Sequence, residues 1–196
     1  RTSSNIPGGG GNGICSAARV QTNQCQLINT GGVGATQGYQ ITWIPLQVYS
    51  NLYNVAGMYS QFRFKAQTGN GFGPVVRYNH DQDNTTSSIE GADYYVLLQN
   101  GNINKVVGGG AQATLSTLTF IPVLNDVIRL ECVTVGATVV LQSVKNGVLF
   151  EQVIDATATR IRAGGPGFQQ NSMSLPPNNT SNFDLYECNQ LTALTP

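Results

Sequence analysis

The sequence predicts an all-β protein, an antiparallel β-sandwich, on three observations. Asn100-Gly101 and Asn146-Gly147 each stand between two alternating apolar runs. Asn-Gly is the strongest short hairpin signal, because both central residues of a type I′ turn need positive φ. Short period-2 segments recur along the chain with Gly, Pro, Asn and Asp clusters between them, which is the spacing of a sandwich. No segment of useful length carries a helical period.

Residues 1–37 contain GGGGNG and read as an irregular Gly-rich N-terminal arm, since a glycine run holds no regular structure by itself. The sandwich domain is expected over 38–196. Such an arm needs pinning by a disulfide, by its own domain or by a neighbouring chain. Tyr39–Trp43 is a short strand, and Pro45 marks a bend or an edge. Leu46, Val48, Tyr49, Leu52 and Tyr53 follow as apolar and aromatic positions. Met58–Gln67 alternates clearly: Ser60, Phe62, Phe64 and Ala66 belong to the core face, Tyr59, Gln61, Arg63 and Lys65 to the other. After a turn at 68–73, Pro74–Asn79 is a strand with Val76 opposite Val75 and Arg77. Residues 80–93 form the longest polar loop. Tyr94–Gln99 and Ile103–Val107 make the first Asn-Gly hairpin, and Thr114–Phe120 is a further strand.

The stretch from Asp126 to Asp155 predicts three consecutive antiparallel strands. The first puts Ile128, Leu130 and Cys132 on one face and Val127, Arg129, Glu131 and Val133 on the other. The next two flank Asn146-Gly147. Arg160–Phe168 is expected as a short strand with a Gly-Pro-Gly turn, Asn171–Ser181 as a polar loop, and Asn182–Cys188 as the closing strand.

At 196 residues the chain is one domain with room for a core that needs no metal. Charged residues make up 10%, against the roughly 25% usual in globular proteins, and the net charge is zero. A basic stripe for nucleic acid or an anionic membrane is therefore not expected. The longest apolar runs fall short of the ~18 residues of a membrane-spanning helix. The chain begins RTSSNIPGGGG, without an initiator methionine or a signal-peptide core, as a processed chain or an excerpt would. Its polar but uncharged composition is of a kind common outside cells and on virus particles. The 4 cysteines allow three pairings. A local Cys15–Cys25 clasp and a Cys132–Cys188 bridge between strands are the expected disulfides, with buried thiols as the alternative. No Cys-x-x-Cys occurs, which argues against zinc.

One resemblance rests on the order of several motifs: GPVVRYN (73–79), ADYYVLL (92–98), NDVIRLECVTVGATVVLQSVKNGVLFEQVIDAT (125–157), RAGGPGF (162–168) and NFDLYE (182–187). Over roughly residues 55–188 this resembles the concanavalin A-like, laminin-G-like jelly rolls of bacterial and phage surface proteins. The resemblance implies a jelly-roll sandwich and a lectin-like module. Asp155 takes the place of the family's turn aspartate, where it is expected to cap backbone amides.

Enzymes on this fold carry signatures that are missing here. Glucanases need carboxylates on one strand face, about 5–5.5 Å apart in retaining enzymes, but Glu90 and Asp93 lie in a loop and Glu131 and Glu151 on different strands. A lyase pattern would need a Gln-x-His beside an Arg-x-Glu. Arg129 and Glu131 have the latter spacing, but the one histidine, His80, sits in the polar loop without its motif. Asp81, Asp83 and Asn84 are candidate Ca²⁺ ligands, since closely spaced Asp and Asn oxygens suit a hard cation; the alternative is an ordinary polar turn. Asn84, Asn178 and Asn179 begin sequons that count only in a glycosylating source.

The candidate glycan-binding residues are Gln61, Arg63, Arg77, Tyr95, Gln99 and Arg129, with Glu131 beside them, on outward strand positions. Glycan sites combine aromatic faces with planar amides and Arg forks for hydroxyls. Cross-strand ion pairs on a structural face are the competing explanation. Tyr49, Tyr53 and Tyr59 offer a second aromatic group. Three functions stand open: a non-enzymatic extracellular or particle-surface module that binds carbohydrate; a structural subunit, such as a virion decoration, fibre or extracellular filament protein assembling through residues 1–37; and a polysaccharide lyase or glycoside hydrolase.

Overall fold

In a computed structural model, the described residues form thirteen strands in two antiparallel sheets, a jelly-roll sandwich. The structure describes residues 15–21, 24–29, 38–43, 55–67, 73–79, 93–108, 111–172 and 180–196, with backbone alone at 15–43, 66–67, 170–172 and 180–186. Among the described residues there is no helix. The seven-stranded sheet runs, in spatial order, β1 (Cys15–Gln21), β2 (Gln24–Asn29), β13 (Thr180–Gln190), β4 (Gly57–Gln67), β9 (Val127–Val135), β10 (Thr138–Lys145) and β11 (Val148–Asp155). The six-stranded sheet runs β3 (Gly38–Trp43), β12 (Gly165–Ser172), β5 (Gly73–Asn79), β6 (Asp93–Leu97), β7 (Ile103–Val106) and β8 (Ala113–Thr114). Two strands, β1 and β2, thus lie within the 1–37 span expected to be irregular, and they join the sheet through β13.

The core follows from alternation. Met58 and Phe62 of β4, Ile128, Leu130 and Cys132 of β9, and Val139 and Leu141 of β10 meet Val76 of β5, Tyr95 and Leu97 of β6, Ile103 of β7 and Phe168 of β12. Each large apolar side chain so buried contributes about 1.5–3 kcal/mol. The opposite face of the six-stranded sheet holds a second buried cluster of Val75, Tyr78, Tyr94, Val96 and Val106.

The hairpin at Asn146-Gly147 has the expected type I′ form, with φ of 54° and 79°. Asn146 also ties the turn to the start of β9. Its Oδ1 accepts from the Val127 N–H at 2.8 Å, and its Nδ2 donates to Asp126 Oδ1 at 2.8 Å. Asn100-Gly101 differs from expectation. Only Gly101 has positive φ, at 86°, and the Leu98 N–H reaches the Asn102 carbonyl at 2.8 Å. This is a three-residue loop, a type I turn closed by a left-handed glycine. A Cβ on Gly101 would also stand 2.4 Å from the Phe120 nitrogen.

The strand expected over Thr114–Phe120 shrinks to β8. Beyond it the chain leaves the edge of the six-stranded sheet and crosses to β9, inside the seven-stranded sheet. Glu151 of β11 steers this crossing: its carboxylate accepts the Thr117 N–H at 2.8 Å and the Leu118 N–H at 3.2 Å. A strand ladder has no room for that substitution of side-chain for backbone acceptors. Gly-Pro-Gly at 165–167, expected as a turn, opens β12.

The expected disulfides meet geometric limits. Cys132 and Cys188 are buried thiols on β9 and β13, and β4 lies between those strands. Two strand spacings, about 10 Å, exceed the reach of a disulfide. In the β1–β2 register Cys25 faces Val20 and Cys15 faces Asn29, so their backbones stand about 15 Å apart by strand rise. Their side chains lie outside the described residues.

Candidate functional site

Regular alternation in β4 and β9, together with residues 187–190 of β13, builds one outward face. The register aligns Glu187, Gln61 and Arg129 in one row, and Asn189, Tyr59, Glu131, Gln142 and Gln152 in the next. Arg129 is the hub. Its Nε donates to Gln61 Oε1 at 2.7 Å, its Nη1 meets Glu131 Oε1 at 3.1 Å, and its guanidinium lies 4.6 Å from the Tyr59 ring centroid. Gln61 Nε2 in turn donates to Glu187 Oε2 at 2.9 Å, and the Tyr59 hydroxyl donates to Glu187 Oε1. Burial, aided by the hydrogen bond to Glu187, pushes the Tyr59 hydroxyl up to about 12, so it stays a donor at neutral pH. The side chain of Arg129 is 27% exposed while that of Glu131 is fully buried.

Chemically, this is a set of fixed, planar hydrogen-bonding groups: one amide, one guanidinium fork and an exposed carboxylate. Tyr59 supports Arg129 from beneath and is only 8% exposed. It is therefore a platform for the guanidinium, not a free face for stacking.

Of the six expected glycan-binding residues, the structure brings Gln61 and Arg129 together. Arg63 shares their face, one step along β4 and opposite Val127 and Asp184. Arg77 and Tyr95 are contradicted as surface groups. The β5–β6 register shifts between Val76 and Asn79, and Arg77 takes a φ of 57°. This bulge turns the side chain inside. Arg77 is 0% exposed, and its Nη2 donates to the Ala56 carbonyl at 2.8 Å and to Thr134 Oγ1 at 3.3 Å. The approach of Gly164, whose added Cβ would stand 2.4 Å from the Arg77 carbonyl carbon, belongs to the same bulge. Tyr95 lies on the core side of β6. Its hydroxyl donates to Asp155 Oδ2 at 2.7 Å and accepts the Ile161 N–H at 2.8 Å. Gln99 sits in the β6–β7 loop, on the other sheet.

Asp155 caps its turn as expected, accepting the Thr157 N–H at 3.0 Å. It also meets buried Lys105 at 2.9 Å. Burial alone would raise its carboxyl, but hydrogen bonds from Thr157, Tyr95 and Lys105 outweigh this and hold it below the usual carboxylate range. The group is a structural knot at the end of the sandwich.

Glu187 and Gln142 are the site residues that the residue pattern left out, and Tyr59 was expected only in a separate aromatic group with Tyr49 and Tyr53. Tyr59 had the right parity, and Glu187 ends the NFDLYE motif; the pairing of β13 with β4, more than 110 positions apart, is what a single sequence hides. Asp81, Asp83, Asn84, His80, Tyr49, Tyr53 and the sequon asparagines Asn178 and Asn179 lie outside the described residues. Among the described residues no cluster of metal ligands occurs, and no helix is long and apolar enough to cross a membrane.

Neither a protein-family model nor a curated protein matches the chain. Solved structures do. A Bacillus subtilis protein of unknown function with a galectin-like fold is 12% identical, with a TM-score of 0.57 over 92% of this chain and 87% of its own. A legume lectin-like domain from Entamoeba histolytica is 9% identical, with a TM-score of 0.52 over 90% of this chain and 88% of its own. The fold is a concanavalin A-like jelly roll. The receptor binding domain of a botulinum neurotoxin C/D mosaic serotype also aligns, at 12% identity and a TM-score of 0.51, over 91% of this chain and 43% of that one. At such identities the likeness concerns the fold, and the jelly roll's function has to be argued from its own face.

Proposed function

We propose that this jelly roll is a non-enzymatic carbohydrate-binding module of an extracellular or particle surface, and that it binds through the outward face of the seven-stranded sheet. The observation that carries the reading is Arg129, fixed on Tyr59 and bridging Gln61 to Glu131 on neighbouring strands. Preorganised planar donors and acceptors suit the paired hydroxyls of a sugar and lose little side-chain freedom on binding. The zero net charge of the chain points to a ligand held by hydrogen bonds instead of by diffuse electrostatic attraction. Lectin-like domains among the structural neighbours agree with this reading. An oligosaccharide array, run with and without calcium, tests it. Binding is expected, and its loss on combining Gln61→Ala with Arg129→Ala; an empty array under both conditions removes the reading.

A second reading, a structural subunit of an assembly, draws on a different observation. Leu118, Ile121, Val123 and Leu124 of the sheet-crossing segment are 48–81% exposed, an apolar run rarely left bare on a monomer. Native mass measurement decides: a strict monomer at high concentration removes it.

A further inference from the structure

The centre of the outward face is occupied by the chain itself. Glu131 is fully buried on that face, and a buried carboxylate needs several donors. Arg129 supplies one. The other two come from a single residue after β13: the Thr195 N–H donates to Oε2 at 2.9 Å and the Thr195 hydroxyl to Oε1 at 2.7 Å. Two adjacent donors converging on one carboxylate are what a vicinal diol of a saccharide presents. Opposite Glu131, on the same face, stands Gln142 of β10. Its Nε2 donates to Gln152 Oε1 at 2.9 Å. Among the described residues its Oε1 has no partner although the residue is only 3% exposed, and an unmet acceptor in that setting calls for one more donor.

The segment that covers this place is lightly held. The Leu191 N–H pairs with the Gly57 carbonyl at 3.0 Å. The next hydrogen bonds along the segment are those of Thr195, and residues 192, 193 and 196 between and beyond are exposed. We propose that residues 191–195 are a displaceable strap that occupies a polyol subsite at Glu131 and Gln142 as an internal stand-in for ligand. The inference rests on the carbohydrate-binding reading and deepens it. A saccharide entering the subsite replaces the Thr195 N–H and hydroxyl with two of its own hydroxyls on Glu131. A third hydroxyl meets the open Gln142 Oε1, which Thr195 leaves unmet. Arg129 and Gln61 lie one row away to hold the adjoining ring. Because strap and saccharide exclude one another, the apparent affinity is the intrinsic affinity scaled by the fraction of chains with the strap released.

Thr195→Pro tests this, since proline removes the amide donor and the hydroxyl together. The probes are free oligosaccharides of glucose, mannose, galactose, xylose and fructose, titrated calorimetrically into the full chain and the variant, with thermal unfolding of both as the check on folding. The account expects the same sugar preference and an affinity about ten-fold tighter in Thr195→Pro, with Glu131→Gln weakening both backgrounds. Parental affinity, or weaker binding, in Thr195→Pro overturns the strap while leaving the carbohydrate reading in place. Absence of binding to every probe by parent and variant alike overturns both.

Discussion

Arg129 and Arg77 differ in fate although each sits in an alternating strand. Arg129 belongs to an unbroken stretch of β9 whose pairing with β4 and β10 keeps one register, so its parity puts it outside, on Tyr59. Arg77 stands where the β5–β6 register slips, in left-handed backbone, and it ends inside, on carbonyls at the entry to β4. A polar residue on a strand is available for recognition only where the ladder around it is regular. At a bulge the same residue becomes a fastener of the fold. The two regions therefore differ: one face presents ordered polar groups, the face proposed for binding, and the other end of the sandwich is knotted for stability.

The largest effect that would sharpen this contrast is in stability. Arg77→Ala is expected to cost about 3 kcal/mol, through lost packing and the carbonyls it deserts. Chemical denaturation reads it, while the folded variant keeps the parental sugar affinity; lost affinity at unchanged stability would reverse the assignment. Tyr95→Phe should cost about 1–3 kcal/mol, since the Ile161 N–H loses its acceptor and Asp155 loses one of its donors. A stability change near zero would break the knot described around Asp155.

The pH dependence separates the regions further. Asp155 and Asp126 are held below the usual carboxylate range. For Asp126 burial opposes this, and hydrogen bonds from Val123, Asn146 and Lys145 outweigh it. Folded values below unfolded ones mean that their contribution is complete above about pH 4 and is lost as the pH falls through the folded values. Denaturation series from pH 7 downward should show a shallower acid limb in Asp155→Asn than in the parent. Parallel limbs would contradict the assignment. Gly147→Ala is a smaller perturbation, about 1 kcal/mol, because the cost is the 79° φ and nothing stands within 4 Å of the added Cβ. Smallest of all in stability is Arg129→Lys, within about 0.5 kcal/mol, because the site is partly exposed. Its sugar affinity should nevertheless fall, since lysine keeps the charge and loses the planar fork.

The alternation of β4, the three strands from Asp126 to Asp155 and the Asn146-Gly147 turn were legible because local rules suffice there: period two, and a turn that needs two positive φ values. The same rules misplace Thr114–Phe120, whose apolar pattern serves a crossing held by Glu151. They misplace Arg77 because a register slip leaves no mark in composition. Gln61, Arg129 and Glu131 followed from parity on adjacent strands. Glu187, Gln142 and the Thr195 contact did not, because β13 reaches β4 only through long-range pairing and residues 191–196 have no period to read.

The central claim is that recognition belongs to the outward face of the seven-stranded sheet. Backbone amide mapping by NMR during titration with a sugar found on the array tests it most directly. The account predicts shifts concentrated at 59–63, 129–131, 142 and 187–195, with little change around Arg77 and Tyr95. Shifts confined to residues 80–92 or to β5 and β6 would contradict it.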